Sequence, residues 1–381
     1  MNTDQTLDVI IIGGGQAGLS LGWHLRSLQP QLTFLIVERH HRIGDNWRER
    51  YDSLVLFTPR TYSQLPGVSM DGDPTGFPTK DEVAQYLEDY ARQAQLPVLT
   101  SSEVVQVTWE AQKNHFKVAI RQSPNLHSIQ HDHHSQLEQH ISLYCKQLVL
   151  ASGPFQTPYI PAWAANIDTN VIQLHSSQYR SPTQLPTLST QHNVLVVGGG
   201  NSGAQIAVEL ARTSHVSLSV RHPLRHMKLS LLGRSTFEWM DKLGLLHAPS
   251  HSRRAKLIRR LGDPVFGNEL AAALRTGQIT MQPAATSWDS ASASICFQDG
   301  STFAPNAIIW ATGFNNDNRW LHLPGLLNER GQIIYFGHST PVPGLYVIGM
   351  PWQRSRSSAL LCGAGRDAYP LAQEVIHFAQ T

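Results

Sequence analysis

Two short glycine clusters are the residues of this chain best suited to chemistry. Gly13-Gly14-Gly15-Gln16-Ala17-Gly18 and Gly198-Gly199-Gly200-Asn201-Ser202-Gly203 share the G-x-G-x-x-G spacing. In each, the first glycine (13, 198) permits a tight turn, and the second (15, 200) lets backbone N–H groups approach a pyrophosphate. The third (18, 203) lets a helix pack closely on a strand. The diphosphate then sits at the positive end of the helix that follows. One such cluster is weak evidence. Two of them, each with a strand before and a helix after, predict two bound dinucleotides.

The elements around the clusters are legible. Asp8 to Ile12 and Val194 to Val197 read as buried parallel strands, and Gln16 to Leu28 as the first helix. Pro30 turns the chain into a second buried strand, Leu32 to Val37, which ends at Glu38. A carboxylate about 20 residues past the glycines accepts hydrogen bonds from an adenosine ribose and repels a ribose phosphate. The first site therefore suits FAD or NAD rather than NADP. In the second unit, His215 to Val220 leads instead to Arg221-His222, with Arg225 nearby and no carboxylate. An Arg there can pair with a 2′-phosphate, which favours NADPH over NADH.

Composition narrows the classes. The 381 residues are enough for two domains, and 30 Lys+Arg against 28 Asp+Glu leave a net charge of +2. That balance gives no argument for nucleic acid or membrane as partner. Cys145, Cys296 and Cys362 lie far apart, which excludes a C-x-x-C redox or zinc pair and suits a cytoplasmic protein. The polar N-terminus runs straight into the first strand and reads as neither signal peptide nor membrane helix.

Farther along, Val104 to Leu150 alternates, as in Val105-Gln106-Val107, and predicts a small antiparallel insertion. A polar loop with His127, His131, His133, His134 and His140 interrupts it. With no Cys among them these histidines read as solvated, and no metal site is expected. Ala311-Thr312-Gly313 ends one strand and Ala151-Ser152-Gly153 another. The basic run Arg253 to Arg260 reads as a solvated face, since no hydrophobic stripe accompanies it. Gly344 to Met350 reads as a returning strand, and Ser358 to Phe378 as a closing helix.

Several segments resemble the class B flavin-dependent monooxygenases, and among them the small YUCCA-like members. They are the first glycine cluster, Gly44-Asp45-Asn46-Trp47, Tyr51-Asp52-Ser53-Leu54-Val55-Leu56 with Leu65-Pro66, Phe77-Pro78-Thr79-Lys80, and Gly233-Arg234-Ser235-Thr236-Phe237. The resemblance implies an α/β fold of two Rossmann-like domains. Residues 1–157 and 314–381 would form the FAD-binding domain, carrying the small antiparallel insertion. Residues 158–313 would form the inserted NAD(P)H-binding domain.

For FAD it implies Gly13, Gly15, Gln16, Ala17, Gly18, Glu38, Arg39, Asn46, Trp47, Val105 and Gly349. For NADPH it implies Gly198, Gly200, Asn201, Ser202, Gly203, Arg221, His222, Ala311, Thr312 and Gly313. The implied reaction inserts one oxygen atom of O₂ into a small organic substrate through a C4a-(hydro)peroxyflavin. N- or S-oxygenation and oxidative decarboxylation of a 2-oxo acid both stay open. A homodimer would be compatible with this reading.

Three departures shape the expectation. His175-Ser176-Ser177-Gln178-Tyr179-Arg180 resembles only the second half of the family's Baeyer–Villiger fingerprint, with Thr169 and Val171 where Phe and Gly would stand. Met350 follows Gly349 where disulfide reductases carry Asp. Phe57 stands where larger members have an Asn. No acid or base is assigned; Phe57, Thr58, His175 and Gln353 are the catalytic candidates. The alternative is an NAD(P)H-dependent flavoprotein reductase or oxidase without dithiol chemistry. A non-catalytic flavoprotein is a further rival that nothing in the sequence requires.

Overall fold

The computed structural model describes residues 6–123, 139–185 and 192–380. The strand β1 (Thr6–Ile12) lies at the centre of the first sheet, with Val9, Ile10 and Ile11 fully buried. Such an unalternating apolar run fits a parallel strand covered on both faces. β1 pairs in parallel with β2 (Phe34–Val37), Ile12 opposite Val37, and on its other side with Gln139–Leu150, Ile12 opposite Leu150. The helix α1 (Gln16–Leu28) and the closing helix Leu361–Gln380 share one core, in which Leu19, Leu21 and Leu25 pack with Ala368, Leu371 and Val375.

The alternating stretch forms the expected antiparallel strands, and they are joined to the first sheet. The 12-residue strand Gln139–Leu150 pairs antiparallel with His115–Gln122 through its first half and parallel with β1 through its second. Ser102–Glu110 then closes that edge, so the antiparallel strands extend one seven-stranded sheet. His127, His131, His133 and His134 lie outside the described residues, and His140 is exposed on its strand. Among the described residues no group of three His, Cys, Asp or Glu could hold a metal, and no helix is long and apolar enough to cross a membrane.

The second sheet has five strands, all parallel, in the order Ile279–Gln282, β4 (His215–Ser219), β3 (Asn193–Val197), Ala307–Trp310 and Ile172–His175. The helix α2 (Asn201–Leu210) packs on it through Ile206, Ala207 and Leu210. The chain passes between the two sheets twice, and the two passages pair with each other. Thr157 and Pro158 lie antiparallel to Asn315 and Phe314 in a two-stranded clip, and Tyr159 N–H donates to the Gly313 carbonyl at 2.9 Å.

Candidate cofactor and active sites

The two glycine turns have the same geometry. Gly13 has φ +112° and Gly198 φ +117°, conformations that L side chains rarely adopt. A Cβ on either would collide with the carbonyl of the small residue ending a neighbouring strand, Ala151 or Ala311. A Cβ on Gly18 or Gly203 would run into the carbonyl of Gly13 or Gly198, because helix and turn touch there. Gly15 and Gly200 differ: a Cβ on either meets nothing within 4 Å. Each helix N-terminus therefore faces open space, a cradle that suits a diphosphate.

Beside the first turn lies a cavity of about 330 Å³. Gly13, Gly15, Gln16, Ala17, Glu38, Arg39, Asn46 and Gly349 line it. Gly18 stands behind the wall. Trp47 packs against the core, and its Nε1 is buried without a partner among the described residues. Val105 falls at a bulge between the paired residues Val104 and Gln106, and Val104 is the one that reaches the cavity.

Glu38 is buried at 8% exposure and fully engaged. Its Oε2 accepts the Gly14 N–H at 2.7 Å, and its Oε1 accepts from the His40 N–H at 2.9 Å and from His40 Nδ1 at 2.5 Å. Burial pushes this carboxyl up, yet the hydrogen bonds from His40 and Gly14 outweigh it and hold the group below its ordinary value. Spacing alone does not reveal Arg50, Gln156, Asp317 and Trp320, which also line the cavity. Those residues come from the flank of the Gly-x-x-Trp helix and from the two passages. Only the small-residue strand ends hinted at the passages. Arg50 lies over the rings of Phe155 (5.2 Å) and Phe314 (5.9 Å), and burial pulls its pKa down.

A second cavity, about 700 Å³, opens beside the other turn. Gly198, Arg221, His222, Ala311 and Thr312 line it, as do Arg225, Arg259 and Arg260. Asp263 is the one acidic residue on that wall among the described residues. The two arginines at 259 and 260 belong to the run read as a solvated face; that run in fact bounds a cavity. Gly200, Gly203 and Gly313 lie off the wall, and so do Asn201 and Ser202. Asn201 ties the turn to the next segment, donating to the Pro264 carbonyl (3.1 Å) and accepting from Phe266 N–H (2.9 Å).

None of the four catalytic candidates lines either cavity. Phe57 stacks on Phe266 (4.5 Å, 11°) and faces a third cavity of about 340 Å³ that it shares with Phe77 and Gln205. The Thr58 and Ser63 hydroxyls bond at 2.7 Å in the interior. Gln353 spends its amide on backbone, donating to Gly337 and Val347 carbonyls (2.8 and 2.6 Å) and accepting from Met350 N–H (3.1 Å). His175 is fully buried and donates from Nε2 to the Gly313 carbonyl at 3.0 Å, while Nδ1 accepts from Ser177 N–H. Burial lowers its pKa, so it stands neutral as a brace beside the clip.

The profile of the pyridine nucleotide-disulphide oxidoreductases matches residues 10–232. An uncharacterized CzcO-like oxidoreductase from Geobacillus kaustophilus is 42% identical over 97% of this chain and 99% of its own length. The indole-3-pyruvate monooxygenase YUCCA8 of Oryza sativa is 28% identical over 96% of this chain and 90% of its own. The flavin-containing monooxygenase of Stenotrophomonas maltophilia superposes with a TM-score of 0.75 at 25% identity, covering 98% of this chain and 99% of its own.

Proposed function

We propose that this chain, which belongs to the pyridine nucleotide-disulphide oxidoreductase family and is a flavin-dependent enzyme of the monooxygenase type, draws its electrons from NADPH through FAD and passes one oxygen atom of O₂ to a small organic substrate. One observation carries the two-cofactor part of this reading. Two glycine turns of the same shape each stand beside a cavity, and the strand end that reaches it differs: Glu38 at the first, with Arg39 and Arg50 also on the wall, and Arg221 at the second, with Arg225, Arg259 and Arg260. Likeness to the Stenotrophomonas enzyme over the whole chain supports oxygen transfer as the outcome.

In this reading residues 1–157 with 314–381 bind FAD, and residues 158–313 bind NADPH. Gly13, Gly15 and Ala17 would hold the FAD diphosphate, with Glu38 at its ribose. Asn46 and Trp47 would lie toward the ring, where the unpartnered Trp47 N–H has a donor to give. When bound, FAD supplies two-electron acceptance from NADPH and the activation of O₂. The chain's own part is to bind, orient and keep dry. Arg221 offers a charge-assisted fork to a 2′-phosphate. The stacked rings of Phe57 and Phe266 place apolar surface where the 53–57 segment meets α2.

The test supplies NADPH and ¹⁸O₂ with thioethers, amines and 2-oxo acids in turn. Labelled oxygen in one product class, formed in step with NADPH loss, is the expected result. NADPH loss with hydrogen peroxide as the sole product across all three classes overturns oxygen transfer and leaves the oxidase reading.

A further inference from the structure

We propose that the helix α3 (Arg253–Leu261) is a docking face for an anionic lipid surface. Its sequence, RRAKLIRRL, carries five cations and no acid in nine residues, against a net charge of +2 for the whole chain. Ala255 is its only buried residue, so the opposite side faces water. At 3.6 residues per turn that outward side centres on Arg253 and Leu257, flanked by Lys256 and Leu261, while Arg260 beside them also reaches the wall of the second cavity.

The hydrophobic stripe that the sequence did not reveal is present there. Leu257 is 60% exposed and Leu261 47%, one turn apart. Leu243, 60% exposed, precedes Gly244, whose surroundings include the Arg254 guanidinium. Among the described residues no ion pair engages Arg253, Arg254, Lys256 or Arg260, so their charge is not cancelled within the fold.

Leucines set between unpaired cations match the boundary of an anionic bilayer. The apolar groups enter the acyl edge and the long basic side chains reach the headgroups. A nucleic acid would use the cations and leave the leucines in water. The lipid surface is therefore the occupant that accounts for both features. Arg259 differs from the other cations of this helix in having an aromatic partner: exposed itself, it lies over the ring of Trp352 at 4.9 Å.

The experiment sediments the flavin-loaded protein with vesicles of phosphatidylcholine alone and of phosphatidylcholine mixed with phosphatidylglycerol. Binding to the mixed vesicles only, weakening as salt is raised, is expected. Removing one surface cation weakens such binding by about fivefold, so Arg253→Glu with Lys256→Glu should weaken it by more than tenfold. Leu257→Ser should weaken it at high salt as well, with flavin content and NADPH oxidation unchanged. Equal binding to neutral vesicles overturns the proposal. So does indifference to Lys256→Glu alone, or DNA binding in place of vesicle binding. Dimerisation abolished by Leu257→Ser, without any vesicle binding, assigns the face to a second copy instead and overturns it too.

Discussion

The Glu38 carboxylate and the Gly14 N–H, 24 residues apart in sequence, meet at 2.7 Å at the mouth of the first glycine turn. The strand-end acid therefore shapes the turn as well as facing the cavity. Glu38→Ala would leave that buried N–H and the His40 ring without their acceptor. Bonds to a charged acceptor contribute about 1.5–3 kcal/mol, or about one to two decades in affinity. FAD retained after dialysis, read from its visible absorbance, should fall accordingly, while Glu38→Gln should keep part of it.

Gly15 and Gly18 should fail in different ways. Gly15→Val adds atoms to open space, so the protein should fold with its thermal midpoint almost unchanged and bind no flavin. Gly18→Val drives a side chain into the Gly13 carbonyl and should destabilise by several kcal/mol, about the size of other overpacking strains. Circular dichroism melts beside flavin absorbance separate the two. A Gly15→Val protein that stays fully yellow would remove the cradle from the flavin site.

Arg221→Ala should lower the kcat/KM preference for NADPH over NADH by about ten- to a hundredfold, the loss of one charge-assisted fork. Arg221 is exposed, so the effect should shrink as salt rises. An unchanged preference would transfer the phosphate to Arg225 or Arg260 on the same wall.

Acid should weaken the fold from near neutrality downward. Burial lowers the pKa of His24, His175 and His247, and takes His338 down to about 4, with Arg354 adding to the effect there. Each is neutral when folded, whereas an unfolded His ionises near 6.5. The unfolded chain thus binds more protons below that pH, and stability falls between about 6.5 and 4. Glu38, held below its ordinary value, adds its loss at lower pH still. His338→Gln should make the fall in unfolding free energy between pH 7 and pH 5, read from denaturant titrations at the two pH values, shallower by up to about 2 kcal/mol.

Much of the plan was legible in the residues because local chemistry and tertiary role coincide there. A turn that must leave the L-residue map needs Gly13, and a helix that must touch it needs Gly18. The strand on which both depend has no reason to alternate. Edges were harder to read. The strand expected from Leu32 begins at Phe34, because Leu32 N–H is already spent on the Gln29 carbonyl. The helix expected from Ser358 begins at Leu361, since Ser358 caps the preceding turn with bonds from Arg354 and Ser355 N–H.

The catalytic candidates were named by residue type and position, and the partners they have could not be read that way. Thr58, His175 and Gln353 are polar residues whose partners are backbone groups or a neighbouring hydroxyl, a use that residue type cannot announce. Arg259 and Arg260 were hidden by the company of other cations: periodicity shows which side of a helix is apolar, not what lies across from it.

The clip formed by Thr157-Pro158 and Phe314-Asn315 has a bearing on how the fold tolerates growth. Everything between Pro158 and Phe314 is one loop fastened at its neck. Closing a loop costs free energy only as the logarithm of its length, so doubling the loop adds about 0.6 kcal/mol. The five-stranded sheet can therefore gain or lose whole segments at its far side with little change in how firmly its neck is held. A lesion at the neck has no such insurance: His175, whose ring hydrogen bond reaches Gly313 from inside the loop, is the rivet whose removal would loosen both ends at once.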